Sequence, residues 1–341
     1  MGKASSDKID IVIAWVDGGD KDWIKKKNKY SNECLDVEGK NSARFRDWNT
    51  LKYVLRSIEK NAPWVNRIYL VTDNQKPYWL KANTNNLVVV DHKDFIPSKY
   101  LPVFNANPIE LNLHRINGLS EKFIYFNDDT VILNKIRPDY YFKNNLPCAS
   151  AILNVHCAWK SRIIYNICFN DAGIINEHFD IKAVIKNSKP KWFNLKYGIK
   201  NNIQNIILSH CPRFPGFKQD HMPTPFLKKS FEELWNLEFE ILDKTSSHKF
   251  RSKDDVNQYL IKEYQIVSNA FTPSSICKKG VMVDFEKDKN ALKTLEKNLF
   301  NKRHLTMCIN DGDSIENIDT IIDKVNTLLE KKYPDKSSYE I

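Results

Sequence analysis

The sequence predicts an α/β fold: a Rossmann-like, mostly parallel sheet that carries a helical insertion or lid. Three observations predict it. Short apolar runs recur along the first half and stop on acids, at Ile9–Trp15, Arg67–Asp73, Leu87–Asp91 and Lys122–Asp129. A helical pattern with Leu51, Val54, Leu55 and Ile58 on one face separates the first two runs, the alternation of parallel βαβ units. After residue 150 the strand pattern fades into helical segments, and it returns at Val281–Val283 and Leu305–Ile309.

In chain order, residues 1–8 form a polar, disordered leader and residues 9–150 the α/β core. Ile9–Trp15 reads as a buried strand running into Val16-Asp17-Gly18-Gly19-Asp20, where glycines let backbone amides approach a ligand; the same residues also suit a plain turn with Asp20 as helix cap. Residues 21–43 are lysine-rich and read as a helix followed by a mobile loop. Arg44 and Arg46 precede the helix through Leu51, with Asp47 placed to cap it; arginines at a helix mouth suit a diphosphate, or they are simply solvated. A short helix is expected near Pro77–Lys81 between the second and third strands. Asn107-Pro108-Ile109-Glu110 starts a helix bearing His114 and Arg115, and Tyr140-Tyr141-Phe142 reads as core. Residues 151–275 are expected to be an all-helical insertion, with helices near Ile199–Leu208, Phe226–Leu242 and Asp254–Val267. Residues 276–330 return to the core and end in an amphipathic helix over Ile315–Leu329, leaving 331–341 as a frayed tail.

Composition bounds the partners. Lys and Arg total 52 against 42 Asp and Glu, a formal net charge of +10, which suits phosphate-rich partners such as nucleotides, nucleic acid or an anionic leaflet. The cysteines, seven and scattered, contain no Cys-x-x-Cys, so neither a disulfide framework nor a zinc site is indicated and a reducing compartment is the simplest setting. No run reaches the length of a membrane span and the start lacks a signal peptide's apolar segment. The expectation is a cytoplasmic protein, with peripheral contact to the inner membrane surface.

The candidate chemistry sits at strand ends and in two loops. Lys122–Asp129 delivers Asn127, Asp128 and Asp129 to the carboxyl edge of the sheet, where open α/β folds bind ligands. Adjacent carboxylates repel unless a cation lies between them, and hard oxygen ligands suit Mg2+ or Mn2+ carried by a diphosphate; a solvated Asn-Asp-Asp turn is the other reading. Asn310 and Asp311 repeat that arrangement at the end of Leu305–Ile309. His221 stands in a proline-rich loop, where a histidine can act as general base near neutral pH or serve only structure. Arg251 lies in the basic stretch His248-Lys249-Phe250-Arg251, suited to phosphates or to solvent, with Asp254 placed to cap the next helix. There is no G-x-G-x-x-G and no Walker lysine.

Ile11–Gly18, Arg44–Asp47 continuing through Leu55–Trp64, and His114–Ser120 leading into Phe126–Asp129 resemble the first two conserved regions of the Stealth family. His221-Met222-Pro223 with Asp243-Lys244-Thr245 and His248–Arg251 resembles the third region, and Cys308–Asp311 the fourth. These are hexose-1-phosphoryl transferases that include bacterial capsule polymerases and the animal N-acetylglucosamine-1-phosphotransferase, whose large insertions this chain lacks. The resemblance implies a GT-A-like form of the Rossmann-like sheet and a phosphotransferase that moves a sugar together with its phosphate from a nucleotide-diphosphate sugar to a glycan or lipid-linked oligosaccharide. It implies His221 as base, Arg251 as charge clamp, Asp128 and Asp129 with Asn310 opposite as the metal or donor site, and a donor pocket with Asp17, Gly18, Arg44, Arg46, Asp47, Arg115 and Asn127.

Two alternatives stand beside that reading. In a metal-dependent glycosyltransferase the sugar would move alone and a nucleoside diphosphate would be released. A non-catalytic nucleic-acid-binding protein would use the positive charge, but the sequence shows no recognition-helix or aromatic-sheet signature, and acids at strand tips repel a phosphate backbone. No nucleic-acid partner is therefore expected.

Overall fold

The acid-tipped runs become parallel strands of one sheet in the computed structural model, which describes residues 8–341 except 34–44, 82, 83, 85, 158, 160, 161, 276–278, 313 and 314. The first four strands are β1 (Ile9–Ala14), β2 (Ile68–Thr72), β3 (Leu87–Asp91) and β4 (Lys122–Asn127). The sheet has the order β3-β2-β1-β4-β8, where β8 (Thr224–Leu227) runs antiparallel to β4 and the rest are parallel. The order reverses direction at β1, so the crevice between the ends of β1 and β4 is the ligand position this topology favours. Ala14 pairs with Asn127 there, which sets Asp128 beside Trp15.

Both faces of the sheet are buried, which explains the near-continuous apolar runs. Ile11, Ile13, Leu70, Ile124 and Phe126 pack under α2 (Leu51–Asn61) through Leu51, Val54, Leu55 and Ile58. Val12, Tyr69, Val71, Phe123 and Tyr125 face the second-half helices, including α8 (Lys228–Leu237) with Phe231 and Leu234 and α10 (Gln258–Val267) with Leu260 and Ile261. Between α2 and α8 in the chain lie α3 (Ala106–Asn112), α4 (Ile163–His178), α5 (Ile181–Asn187), α6 (Lys189–Trp192) and α7 (Ile199–Leu208); α9 (Phe239–Ser247) follows α8.

The returning strands build a second sheet. β10 (Gly280–Asp284) and β11 (Thr306–Asn310) are parallel, and β11 pairs antiparallel with β5 (Thr130–Ile132). Because β5 follows β4 after only Asp128 and Asp129, the acid pair is the link between the two sheets. A small sheet of β6 (Phe142–Lys143), β7 (Leu146–Ala149) and β9 (Thr272–Pro273) flanks them. Helix α11 (Ala291–Leu299) and helix α12 (Ile318–Lys332) close the chain against the second sheet's core.

Several local expectations are corrected. Residues 77–80 make a single turn instead of a helix, with Leu80 N donating to Pro77 O at 3.0 Å. The reason lies at the other end of the chain: Lys81 N donates to Tyr339 O, and Glu340 pairs with Arg56 at 2.7 Å, so the expected frayed tail is docked. The insertion is not all helical, since Thr224–Leu227 finds the open edge of β4; Pro225, which has no N–H to give, is tolerated on such an edge. Asp20 caps α1 (Lys21–Asn28) as expected, but Asp47 does not cap α2: its carboxylate accepts from Asn49 N at 2.7 Å, and Thr50 is the cap residue. Asn257, not Asp254, caps α10.

Candidate active site

At the end of β1 and β4 lies a cavity of about 490 Å³ whose lining includes Arg46, Asn127, Asp128, Asp129, His221, Arg251, Asn310 and Asp311. Five separate stretches of sequence deliver these side chains, and the packing of each explains its position.

The acid pair is held from both sheets. Thr50 Oγ1 donates to Asp128 O at 2.8 Å and Ile309 N to Asp129 O at 2.9 Å, so the backbone link cannot drift. Burial, with the charges of Asp129 and Asp47 adding to it, pushes the Asp128 carboxyl well above the usual carboxylate range. Among the described residues no lysine or arginine is paired with Asp128. Burial, and the charge of Asp17, likewise raise Asp47. Negative charge thus accumulates at the sheet tip without a protein cation to balance it, which fits a divalent metal ion.

His221 arrives through strand pairing. Tyr125 is opposite Thr224, so the antiparallel neighbour carries residue 221 past the tip of β4. Asn127 Nδ2 lies 2.9 Å from His221 Nε2, within hydrogen-bond reach. Asp129 Oδ2 lies 3.9 Å from the same nitrogen, close enough to stabilise the imidazolium formed when a proton is taken.

Arg251 owes its place to a residue that sequence reasoning passed over. Asp255 is fully buried, and its carboxylate takes Asn105 Nδ2 at 3.0 Å, Asn107 Nδ2 at 2.8 Å and Ser252 N at 3.1 Å, while His248 Nδ1 lies 2.6 Å from its other oxygen. Phe104 N donates to Lys249 O at 2.8 Å, and the Phe104 and Phe250 rings stack at 5.4 Å. The loop is thereby clamped to the segment before α3 and aims Arg251 into the cavity. No carboxylate among the described residues pairs with Arg251, so its charge is available to a phosphate. Glu110, also in the wall, feels that charge; burial nevertheless raises its carboxyl to about 7.

Two further groups come from β11 and its turn. Arg46 Nη1 reaches Asp311 Oδ1 at 2.9 Å and Oδ2 at 3.0 Å, which ties the loop before α2 to the second sheet and partly neutralises the arginine. Asn310 Nδ2 donates to Asp311 O at 3.0 Å, leaving its side-chain oxygen as the atom a cation would use. Cys308, to which the sequence reading assigned no role in the site, offers a third donor near Asp129 and His221, all within 4.8 Å of one another. Its thiol donates to Asp129 Oδ2 at 3.4 Å, and burial and that carboxylate push it well above the usual thiol range. A protonated thiol is a poor ligand, so a hard cation on the carboxylates fits this donor set better than a soft one.

Not every expected residue reaches the wall. Asp17, Gly18, Asp47 and Arg115 do not line the cavity. Asp17 is fixed by Gln75, whose Oε1 accepts from Asp17 N at 3.0 Å and whose Nε2 donates to Asp17 O at 2.9 Å. Gly18 serves close packing: a Cβ there would meet Phe45 O at 1.9 Å. Arg115 bonds Asn112 at 2.9 Å and lies over the Trp235 ring at 4.8 Å. Arg44 lies outside the described residues.

Family models match in two places: the first conserved region of the Stealth proteins over residues 7–33 and the second over residues 44–149. The receptor polysaccharide phosphotransferase WefC of Streptococcus gordonii is 40% identical over 98% of this chain and 99% of its own length. The capsular polysaccharide phosphotransferase WcwK of Streptococcus pneumoniae is 37% identical over 98% of each chain. The exopolysaccharide phosphotransferase cps2G of Lactiplantibacillus plantarum is 35% identical over 97% of this chain and 96% of its own. Among solved structures, the galactosyltransferase LgtC with donor and acceptor sugar analogs aligns with a TM-score of 0.40 at 10% identity, over 94% of this chain and 95% of that one. With 37–40% identity to the streptococcal polysaccharide phosphotransferases over 98% of its length, the chain belongs to the Stealth family.

Proposed function

We propose that the chain transfers a sugar-1-phosphate from a nucleotide-diphosphate sugar to a hydroxyl of a glycan acceptor, in the synthesis of a surface polysaccharide. The observation that carries this reading is the meeting of an acid pair, a hydrogen-bonded histidine and an unpaired arginine around one cavity. The names of the full-length relatives, all polysaccharide phosphotransferases, support it.

The acceptor hydroxyl attacks the phosphorus bonded to the sugar, the bond to the nucleotide's bridging oxygen breaks, and a nucleoside monophosphate leaves. His221 takes the hydroxyl proton and Asp129 steadies the resulting charge. Arg251 binds the phosphoryl oxygens as negative charge spreads over them. Asp128 and Asp129, with Asn310 across the cavity, would hold Mg2+ or Mn2+, which when bound neutralises the diphosphate. Arg46 keeps the cavity wall assembled through Asp311.

We place the reaction on the cytoplasmic side of the membrane with a lipid-linked oligosaccharide as acceptor; among the described residues no helix is long and apolar enough to cross a bilayer. The test is incubation with a panel of nucleotide sugars, Mg2+ and acceptor glycan, with identification of the nucleotide formed. Release of the monophosphate upholds the proposal, and release of the diphosphate assigns transfer of the sugar alone.

A further inference from the structure

Helix α7 is turned inside out. Its one buried residue is Asn205, whose Nδ2 donates to Ala151 O and Trp192 O at 2.8 Å each and whose Oδ1 accepts from Leu153 N at 2.8 Å. Its isoleucines face outward: Ile199 is 82% exposed, Ile203 52%, Ile206 52% and Ile207 64%, with Leu195 just before the helix at 95%. Their spacing puts them along one stripe. Soluble proteins rarely leave such a stripe bare without a partner for it.

The charge around the stripe says which partner. From Ile181 to Lys218 there are eight lysines and arginines and no aspartate or glutamate, against a net +10 for the whole chain. Lys182 and Lys186 lie on α5, Lys189 and Lys191 on α6 and Lys200 on α7, and α5 packs on α6. Lys191 and Lys196 bond backbone carbonyls, not carboxylates, so their charges stay uncompensated. Lys182, Lys186, Lys189 and Lys200 are exposed.

We infer that this face docks on an anionic lipid bilayer, with the isoleucines entering the headgroup boundary and the lysines reaching the lipid phosphates. Aliphatic residues flanked by flexible lysines are the makeup of an interfacial helix. A second copy of the chain would bring like charge against like charge. A protein partner would be met by aromatic residues and arginine, whereas lysine is depleted at such interfaces. In sequence the face lies near the site: Leu153, whose N–H bonds Asn205, stands nine positions before Arg162 in the cavity wall, and Val155 and Trp159 between them are both more than half exposed. The proposal rests on the transfer reading only for its purpose, since it would bring the site to a lipid-linked acceptor.

The experiment is co-sedimentation of the full chain with vesicles of phosphatidylglycerol mixed with phosphatidylcholine, against vesicles of phosphatidylcholine alone. The wild type is expected to bind the anionic vesicles and to release them as salt is raised. Ile199→Gln, Ile203→Gln and Ile207→Gln combined should weaken binding at least about tenfold, while the melting temperature and transfer to a soluble acceptor stay unchanged. Lys186→Gln with Lys200→Gln should weaken it about fivefold per charge, and this pair carries the test should the isoleucine variant fail to fold. Absence of binding to anionic vesicles, or equal binding by both variants, overturns the proposal. So does a wild-type dimer that the isoleucine variant breaks, which would assign the face to a second copy. Vesicle binding without any sugar-phosphate transfer would leave this inference standing and sink the functional reading alone.

Discussion

Replacing Asp128 by asparagine is expected to stabilise the metal-free protein and to remove its stabilisation by Mg2+. The carboxylate sits at the junction of two sheets, where burial and the charges of Asp129 and Asp47 oppose its ionisation. Any two unit like charges about 4 Å apart at an effective dielectric near 20 repel by about 4 kcal/mol, and solvent relaxation with partial protonation leaves about 1–3 kcal/mol for a crowded carboxyl. Unfolding entropy near 2.1 cal/mol/K per residue gives about 0.7 kcal/mol/K for a chain of 341 residues, so the metal-free variant should melt about 1–4 °C higher. Mg2+ at a hundredfold above its dissociation constant adds about 2.7 kcal/mol to the wild type, about 4 °C, and little to the variant. Adding metal should therefore close the gap between the two or invert their order of stability. Differential scanning calorimetry with EDTA and with Mg2+ measures both arms. A variant less stable than wild type in EDTA, or one with an undiminished Mg2+ shift, would refute the charge argument.

His221→Ala should lower kcat by about 10²–10⁴ while leaving donor affinity unchanged in a calorimetric titration; retained turnover would remove His221 as base. Arg251→Ala should lower kcat by about 10²–10³, and Arg251→Lys should recover only part of it, since an ammonium cannot offer the planar fork; full recovery would mean that charge alone matters. Glu110 yields a pH test of stability. Its folded carboxyl titrates at about 7 against an ordinary 4.5, so the folded state holds a proton that the unfolded chain has released. Stability from this group is present below about 4.5 and is lost as pH rises toward 7, by up to about 3 kcal/mol. Glu110→Gln should flatten that slope in urea titrations, and an unaltered slope would contradict the burial argument.

The parts of the fold that were legible from sequence are those that local chemistry decides. β-branched runs ending in acids marked β1 to β4 because both faces of a parallel sheet are buried, and α2 was visible because its apolar residues repeat at helical spacing. What escaped depends on distant partners. Thr224–Leu227 became a strand only because β4 offered an open edge about a hundred residues earlier. The tail is ordered by Arg56, and the turn at Pro77 by the tail.

The site followed the same division. His221, Arg251, Asp128, Asp129 and Asn310 were visible as chemistry and do line one cavity, whereas Asp17, Gly18, Asp47 and Arg115 look equally functional in sequence but meet other partners. Asp255 and Cys308 had only weak local signals. The first acquires its importance from Asn105, 150 positions away, and the second from Asp129, 179 away. An acid beside a basic loop and a cysteine just before an Asn-Asp strand end were the only hints.

In the proposed reaction the sugar's own phosphate travels with it. The most direct measurement uses a nucleotide sugar carrying a radiolabel in the phosphate attached to the sugar, incubated with the enzyme, Mg2+ and an acceptor glycan. Label recovered in the glycan, in a linkage cleaved as a phosphodiester and matched by unlabelled nucleoside monophosphate, is the predicted result; label recovered in a nucleoside diphosphate would contradict it.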